Sequence, residues 1–303
     1  MSEVWSIAIY RGASPWTLSP TGVVLSGRDV TDIDAASVAD PFLIHRDGRW
    51  FLFFEVIPRG NHRGGVIAVA ESEDAVHWRY GGVVLREPFH LSYPHVFDWE
   101  GAMYMTPENS SAIRLYRAAG FPGAWIHAAD LLSIEGADPT PFRYDGRWWL
   151  FTYIGPDTLR LFFSEELLGP YREHPSSPIV VDDARARPAG RVIVHDGSPI
   201  RFAQVGRPTY GTAVRAFRIT ELTASSYREE EAVAVPLLTA SGIGWNANGM
   251  HHVDAHLLPD GTWIAAVDGK REEAASDIEL QSRLIAASLN HQQGARSEVV
   301  KPR

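Results

Sequence analysis

The sequence predicts an all-β fold, a five-bladed β-propeller of four-stranded blades whose ring is closed by N-terminal strands. Three observations carry this: one hairpin turn written five times, a third and a fourth strand-like run after the turns, and an N-terminal stretch resembling the half of a unit that the last repeat lacks. The turns are Asp47-Gly48, Glu100-Gly101, Asp145-Gly146, Asp196-Gly197 and Asp260-Gly261. An acidic residue followed by Gly supplies the positive φ angles of a type I′ turn. Apolar runs rich in Val, Ile, Phe, Tyr and Trp flank each one: ADPFLIHR and RWFLFFE, SYPHVFDW and AMYMTPE, ADPTPFRY and RWWLFTY, PAGRVIVH and SPIRFAQ, HHVDAHLLP and TWIAAVD. A hairpin cannot bury both faces alone, so its recurrence at intervals of about 45–64 residues points to blades stacked around an axis.

Third strands follow at VIAVAES (66–72), AIRLYRA (112–118), TLRLFFS (158–164) and YGTAVRAFRI (210–219). Fourth strands are expected in WRYGGVVL, WIHAADLL, YREHPSSPIVV and YREEEAVAVPLL. The fifth unit lacks this pair downstream, but WSIAIYRGASPW and VVL near the N-terminus resemble it, with SRLIAASL (282–289) competing for the third strand. The expected blades are about 36–86, 89–133, 136–182, 187–238, and 249–289 joined by 4–25, all in one domain spanning 1–303. Closure removes the exposed strand edges. The polar tail, 290–303, is expected to fray.

Composition narrows the function classes. The formal charge of −9 argues against nucleic acid or an anionic membrane as the main partner. No run is long and apolar enough to span a bilayer, and MSEVWSIAIY lacks the layout of a signal peptide, so the expected location is cytoplasmic. The chain has no Cys, which excludes disulfides and thiolate metal sites. No cofactor is expected.

In a propeller the first strand of each blade lines the central channel. Positions eight before and seven after each turn glycine therefore sample one rim. Before the turn they are Asp40, Tyr93, Asp138, Ala189 and Val253, the last flanked by His252 and Asp254; after it they are Glu55, Glu108, Tyr153, Gln204 and Asp268. A carboxylate ending an apolar strand is costly unless it is paired or near water. An Asp before Pro can simply start a strand. The Ala-Asp-Pro triplet at 39–41 and again at 137–139 favours a shared site instead. Interblade ion pairs to Arg187, Arg201 or Arg207 are the structural alternative for Glu55, Glu108 and Asp268.

His251 and His252 are candidates for ligand binding or proton transfer at the rim. The set His252, Asp254 and His256 shares one strand face and is the weaker, metal-binding alternative; no tightly bound transition metal is expected. Many of the 33 aromatics, such as Trp50, Trp148, Trp149 and Trp263, fall at repeated strand positions and are expected to be core between blades. Trp99 and Trp245 lie outside that register and are candidates for stacking on a sugar. Arginines are dense from 185 to 218, and one or two near the rim could clasp an anionic group.

ADPF (39–42) and ADPTPF (137–142), each followed by Asp-Gly and an aromatic strand, resemble the first- and third-blade signatures of the arabinanase, xylosidase and invertase superfamily of propeller glycosidases. The chain is more similar still to the propeller domain at the N-terminus of plant glucosamine inositolphosphorylceramide transferases and of related bacterial proteins. The matching stretches are WSIAIYRGASPW, VADPFLIHRDGRWFLFFEV, LREPFHLSYPHVF, MYMTPE, IRLYRAAGFPGAW, RPAG and HHVDAH, covering most of 4–268.

The glycosidase resemblance implies that Asp40 serves as base or nucleophile and that Asp138 tunes and orients. It also implies a Glu opening the fourth blade as general acid, but Arg187 stands near that place, so Glu108 is the candidate replacement. Glu55, His90, Tyr93, Arg187, Gln204, His251, His252, Asp268 and Trp245 are the substrate-binding candidates. The expected function is glycoside hydrolase-like action on a glycoside or glycoconjugate by carboxylate acid–base chemistry, with a small molecule or oligosaccharide as partner. The alternatives are a non-catalytic glycan-binding module and a sugar-transfer enzyme using an activated or phosphorylated sugar, the latter suggested by Asp32-Ile-Asp34 and the arginines.

Overall fold

The computed structural model describes residues 2–60 and 64–273, and they form five antiparallel sheets. Blade I comprises Ala35–Arg46, Arg49–Pro58, Val66–Ser72 and Arg79–Leu85; blade II comprises Ser92–Trp99, Ala102–Glu108, Ile113–Gly120 and Ala124–Leu132. Blades III and IV begin with Ala137–Tyr144, Arg147–Ile154, Thr158–Ser164 and with Ile193–His195, Ser198–Val205, Ala213–Leu222. Their fourth strands are broken into Arg172–Glu173 with Val180–Val181, and Tyr227–Glu231 with Leu238–Thr239. Pro175 and Pro178 in one break, and Pro236 in the other, offer no ladder donor, which confines such segments to edges. Two short 3₁₀ turns are the only helical elements among the described residues, and no helix there is long and apolar enough to cross a membrane.

Ring closure follows the N-terminal reading. Ser2–Gly12 pairs along its whole length with Trp263–Glu273, and Ser19–Leu25 forms the outer edge of that sheet. The place beside Trp263–Glu273 is thus taken by Ser2–Gly12. The competing segment 282–289 and the tail 290–303 lie outside the described residues.

Four of the five turns have both central residues at positive φ, with Asp47, Glu100, Asp145 and Asp196 at 47–52° and their glycines at 75–77°. The fifth differs: Asp260 is not left-handed, and the loop closes through Leu258 N–H to Thr262 O, with Asp260 Oδ1 accepting from Thr262 N–H and Oγ1–H. The extra loop residues remove the geometric need for a type I′ turn.

Both faces of each inner hairpin are buried. In RWFLFFE, Phe51 and Phe53 pack toward blade II while Leu52 and Phe54 pack toward blade V. Trp148 and Trp149, adjacent in sequence, enter the cores shared with blades II and IV respectively. Phe202, Val214, Val253 and Trp263 fill the fifth core, between blades IV and V. Strand alternation with no solvent face explains why these runs are apolar throughout.

Candidate functional site at the channel mouth

Three inner strands carry the same defect at the same height. Register jumps from Ala39↔Glu55 to Phe42↔Phe53, from Ser92↔Glu108 to His95↔Thr106, and from Ala137↔Tyr153 to Thr140↔Phe151, so two residues oppose one each time. The first residue of each bulge sits in the left-handed region, Asp40 at φ 53°, Tyr93 at 46° and Asp138 at 49°, and each precedes a proline. Bulges re-aim side chains, and left-handed non-glycine residues persist only where their surroundings hold them. Here the bulges turn two carboxylates and a phenol into the ring.

Tyr93 is fully buried and ties three blades together. Its hydroxyl bonds Thr140 Oγ1 at 2.8 Å, donates to Gly190 O at 3.1 Å and accepts from Gly190 N–H at 2.9 Å, joining blades II, III and IV. Gly190 has φ 125°, and a Cβ there would lie 1.9 Å from Val253 O. Only glycine permits that approach.

Asp40 is held by its backbone more than by its carboxylate. Its N–H donates to Asp268 Oδ2 at 2.9 Å, and its Oδ2 accepts from Tyr93 N–H at 3.2 Å. Its Oδ1 is buried and has no hydrogen-bond partner, with His251 Nε2 at 3.6 Å and His252 Nδ1 at 3.7 Å. Burial, reinforced by the charges of Asp138 and Asp268 and opposed by His251, pushes the Asp40 carboxyl up to about 7.

Asp268 and His251 form a dyad, Oδ1 to Nδ1 at 2.7 Å. Burial opposes protonation of His251, but the Asp268 carboxylate outweighs it and the net shift is upward. Burial alone dominates at His252, which falls to about 4 and is neutral, with both ring nitrogens unpartnered.

Across the mouth, Arg187 donates from Nε to Asp138 Oδ2 at 2.6 Å and from a terminal nitrogen to Glu108 Oε2 at 3.4 Å. Gln204 Nε2 donates to Asp138 Oδ2 at 3.0 Å, and Asp138 N–H to Glu108 Oε2 at 3.0 Å. Burial pushes Asp138 to about 7 against the pull of Arg187. Glu55 is buried, and that burial, then the charge of Asp40, holds its carboxyl well above the usual range. His90 lies at the edge, its Nε2 at 3.0 Å from Ser92 Oγ and 3.9 Å from Glu55 Oε1, and burial lowers its pKa.

Several sequence expectations are corrected by this geometry. Of the arginines expected to pair with the rim, only Arg187 does; Arg201 pairs with Glu229 and Arg207 with Asp183. His252, Asp254 and His256 do not converge. Asp254 accepts from Arg191 Nε at 2.8 Å and lies 2.8 Å from His256 Nε2, a structural cluster from which His252 is turned away toward Asp40. A different set, Asp40, His251 and Asp268, brings its ligand atoms within 4.8 Å of one another. There, His251 Nδ1 and both Asp268 oxygens already serve one another and the backbone, leaving two free ligand atoms where zinc takes four.

Trp99 packs edge-on against Trp148 beneath Arg143, near its hairpin turn and away from the mouth. Trp245 lies over Gly269 and lines a separate groove with Arg28, Arg59 and Arg271. Asp32 accepts from Tyr80 and from Val83 N–H, and Asp34 pairs with Arg59, so this motif braces blade I. The rim pattern read from the sequence does not single out Thr140, which bonds Tyr93, or Trp5 and Tyr210, whose rings pack against His251. Thr140 was legible as the polar residue of ADPTPF; Trp5 and Tyr210 reach the site only through ring closure and a loop.

Over residues 2–270 the sequence matches the family described as glucosamine inositolphosphorylceramide transferase 1, N-terminal. The chain belongs to this family. It is 33% identical over 299 residues to glucosamine inositolphosphorylceramide transferase 1 of Oryza sativa subsp. japonica and 32% identical over 303 residues to that of Arabidopsis thaliana. Each match covers 88% of this chain but only 40% and 39% of the relative, so the chain spans about two fifths of their length. Among solved structures it is similar to a family 117 glycoside hydrolase of the marine bacterium Zobellia galactanivorans (TM-score 0.57, 16% identity, 88% of this chain and 90% of the other). It is also similar to the catalytic domain of a family 62 α-L-arabinofuranosidase of Coprinopsis cinerea (TM-score 0.59, 13% identity, 87% and 97%). At such identities the two structures share the fold. Family and fold together make this a carbohydrate-related propeller protein.

Proposed function

We propose that the propeller acts on a glycoside or glycoconjugate at this mouth by acid–base chemistry centred on Asp40. The observation that carries the reading is Asp40 Oδ1, the one carboxylate oxygen among the described residues that is buried without a hydrogen-bond partner. An Asp kept only to start a strand would have both oxygens satisfied, because an unmet buried acceptor costs about 1–3 kcal/mol. In this reading Oδ1 takes a proton from water or a sugar hydroxyl. The Asp268–His251 dyad holds an imidazole beside it, and Arg187 orients Asp138 and Glu108. Glu55 is the neighbouring carboxyl whose pKa burial raises, the direction a general acid requires.

The same base would serve hydrolysis or transfer to an acceptor hydroxyl, and the relatives' name makes glucosamine and inositol phosphates sensible members of a substrate panel. A second reading, a glycan-recognition module without turnover, is favoured by Arg187, which stands where the acid was expected and already neutralises two carboxylates. Asp40→Asn separates the two. It keeps the shape but cannot take a proton, so turnover of nitrophenyl glycosides or of a glucosamine donor should fall by roughly 10²–10⁴ with sugar binding retained. Unchanged turnover in a folded Asp40→Asn protein removes Asp40 from the chemistry. Binding by the parent without turnover of any panel member leaves the recognition module.

A further inference from the structure

Tyr210 is out of place for a core aromatic. Trp5 and His251 beside it are buried, yet 41% of the residue remains exposed. The Arg187 guanidinium carbon lies 5.2 Å from its ring centroid, and the ring meets His251 edge-on at 5.2 Å and Trp5 at 6.2 Å. These contacts place it beside both halves of the carboxylate cluster.

The loop that carries Tyr210 is pinned from below. Lys270 is 1% exposed, and its Nζ donates to Tyr210 O at 2.5 Å and to Glu3 Oε1 at 2.6 Å. A buried ammonium is costly unless its donors are met, so this one ties the loop to the ring-closing strand. Gly211 has φ 67°, and a Cβ there would stand 2.6 Å from Trp5 Cη2; one at Gly249 would stand 2.1 Å from Gly211 O. Thr212 Oγ1 donates to Thr209 O at 2.6 Å, closing the loop on itself. The loop backbone is thus held from below while part of Tyr210 stays open to solvent; its phenol faces the cluster, where burial raises its pKa well above the usual tyrosine value. An exposed aromatic ring costs little further ordering when a ligand arrives, because it is already held.

We propose that Tyr210 is the platform on which a sugar ring of the ligand stacks, directly above the carboxylate cluster. This rests on the reading of the mouth as a sugar site, and supplies the apolar surface that a site made only of charged groups lacks. The aliphatic C–H face of a pyranose or furanose would lie against the phenol ring, its hydroxyls turned toward the carboxylates. Tyr210 therefore takes the role that the sequence assigned to Trp99 and Trp245.

The test is titration calorimetry, with saturation-transfer NMR, of the full chain against glucosamine, galactose and arabinose. Tyr210→Ala should weaken the bound sugar about tenfold or more, whereas Tyr210→Phe, which keeps the ring, should stay within about threefold. Tyr210→Phe should melt with the parent, and Tyr210→Ala, which gives up the contacts with Arg187, His251 and Trp5, should remain folded with a drop of only a few degrees. Undiminished binding by Tyr210→Ala, or an equal loss in Tyr210→Phe, overturns the platform and leaves the sugar site standing. A parent that binds none of the three sugars overturns the sugar-site reading, and the platform with it.

Discussion

Arg187→Met tests how the mouth is held together. Among the described residues Arg187 is the only cation paired with Asp138 and Glu108, through contacts of 2.6 and 3.4 Å. Methionine keeps the side-chain stem and removes the charge. Breaking a buried pair by deleting one partner costs about 3–5 kcal/mol, because the other charge is left uncompensated. Asp138 is 1% exposed and bears that cost in full, but the side chains of Glu108 and Arg187 retain 18% and 26% exposure, so water can enter. The expected loss at pH 8 is therefore nearer 2–3 kcal/mol, or about 3–5 °C in melting temperature for a chain of this size.

The pH dependence has a definite sign. Without Arg187 the Asp138 carboxyl, already near 7, rises further above its unfolded value of about 4. A carboxyl raised in the folded state retains its proton there, so stability is fullest below the unfolded value and is lost as pH rises through the folded one. The variant should thus lie closer to the parent at pH 5 than at pH 8 in paired calorimetric scans. Adding Asp138→Asn should recover much of the loss, since no buried charge then remains. A difference under 2 °C at pH 8, or the same loss at both pH values without recovery in the double variant, would refute the assignment of Arg187 as counter-charge.

Two further outcomes are expected. Gly190→Ala puts a Cβ 1.9 Å from Val253 O at φ 125° and forces apart the Tyr93–Gly190 lock; it should cost more than about 4 kcal/mol, seen as insolubility or a melting drop above about 6 °C. Gly261→Ala, with open space around its Cβ, is the control and should cost about 1–2 kcal/mol. In urea unfolding from pH 4 to 8, the raised Asp40 carboxyl makes the parent lose stability as pH rises from about 4 to about 7. Asp40→Asn should flatten that slope; an unaltered slope would assign the proton to another carboxyl.

The architecture was legible because it is written locally. Asp-Gly or Glu-Gly at a type I′ turn, apolar alternation on two buried faces and proline at a broken outer strand each act within a few residues, and repetition multiplied the signal. Ring closure by Ser2–Gly12 was legible for the same reason, since WSIAIYRG carries the pattern of a third strand. Counting from the turns also located Asp40, Tyr93, Asp138, Glu55, Glu108, Gln204 and Asp268, because strand periodicity preserves height along the axis.

What each of these residues does was decided by tertiary structure. The bulges that turn Asp40 and Asp138 inward depend on pairing register across the hairpin, and the state of each carboxyl depends on charges from other blades. Asp254, two residues after His252, is claimed by Arg191, whereas Asp268, on the partner strand, orients His251. Trp245 and Trp99 were conspicuous in the sequence and are used in packing. Tyr210 was inconspicuous, and reaches the mouth because Lys270, Glu3 and Trp5, distant along the chain, meet beneath its loop. Local propensity acts over a turn of chain, while burial and Coulomb interactions act across space, so the fold could be read from neighbours in sequence and the chemistry only from neighbours in the ring.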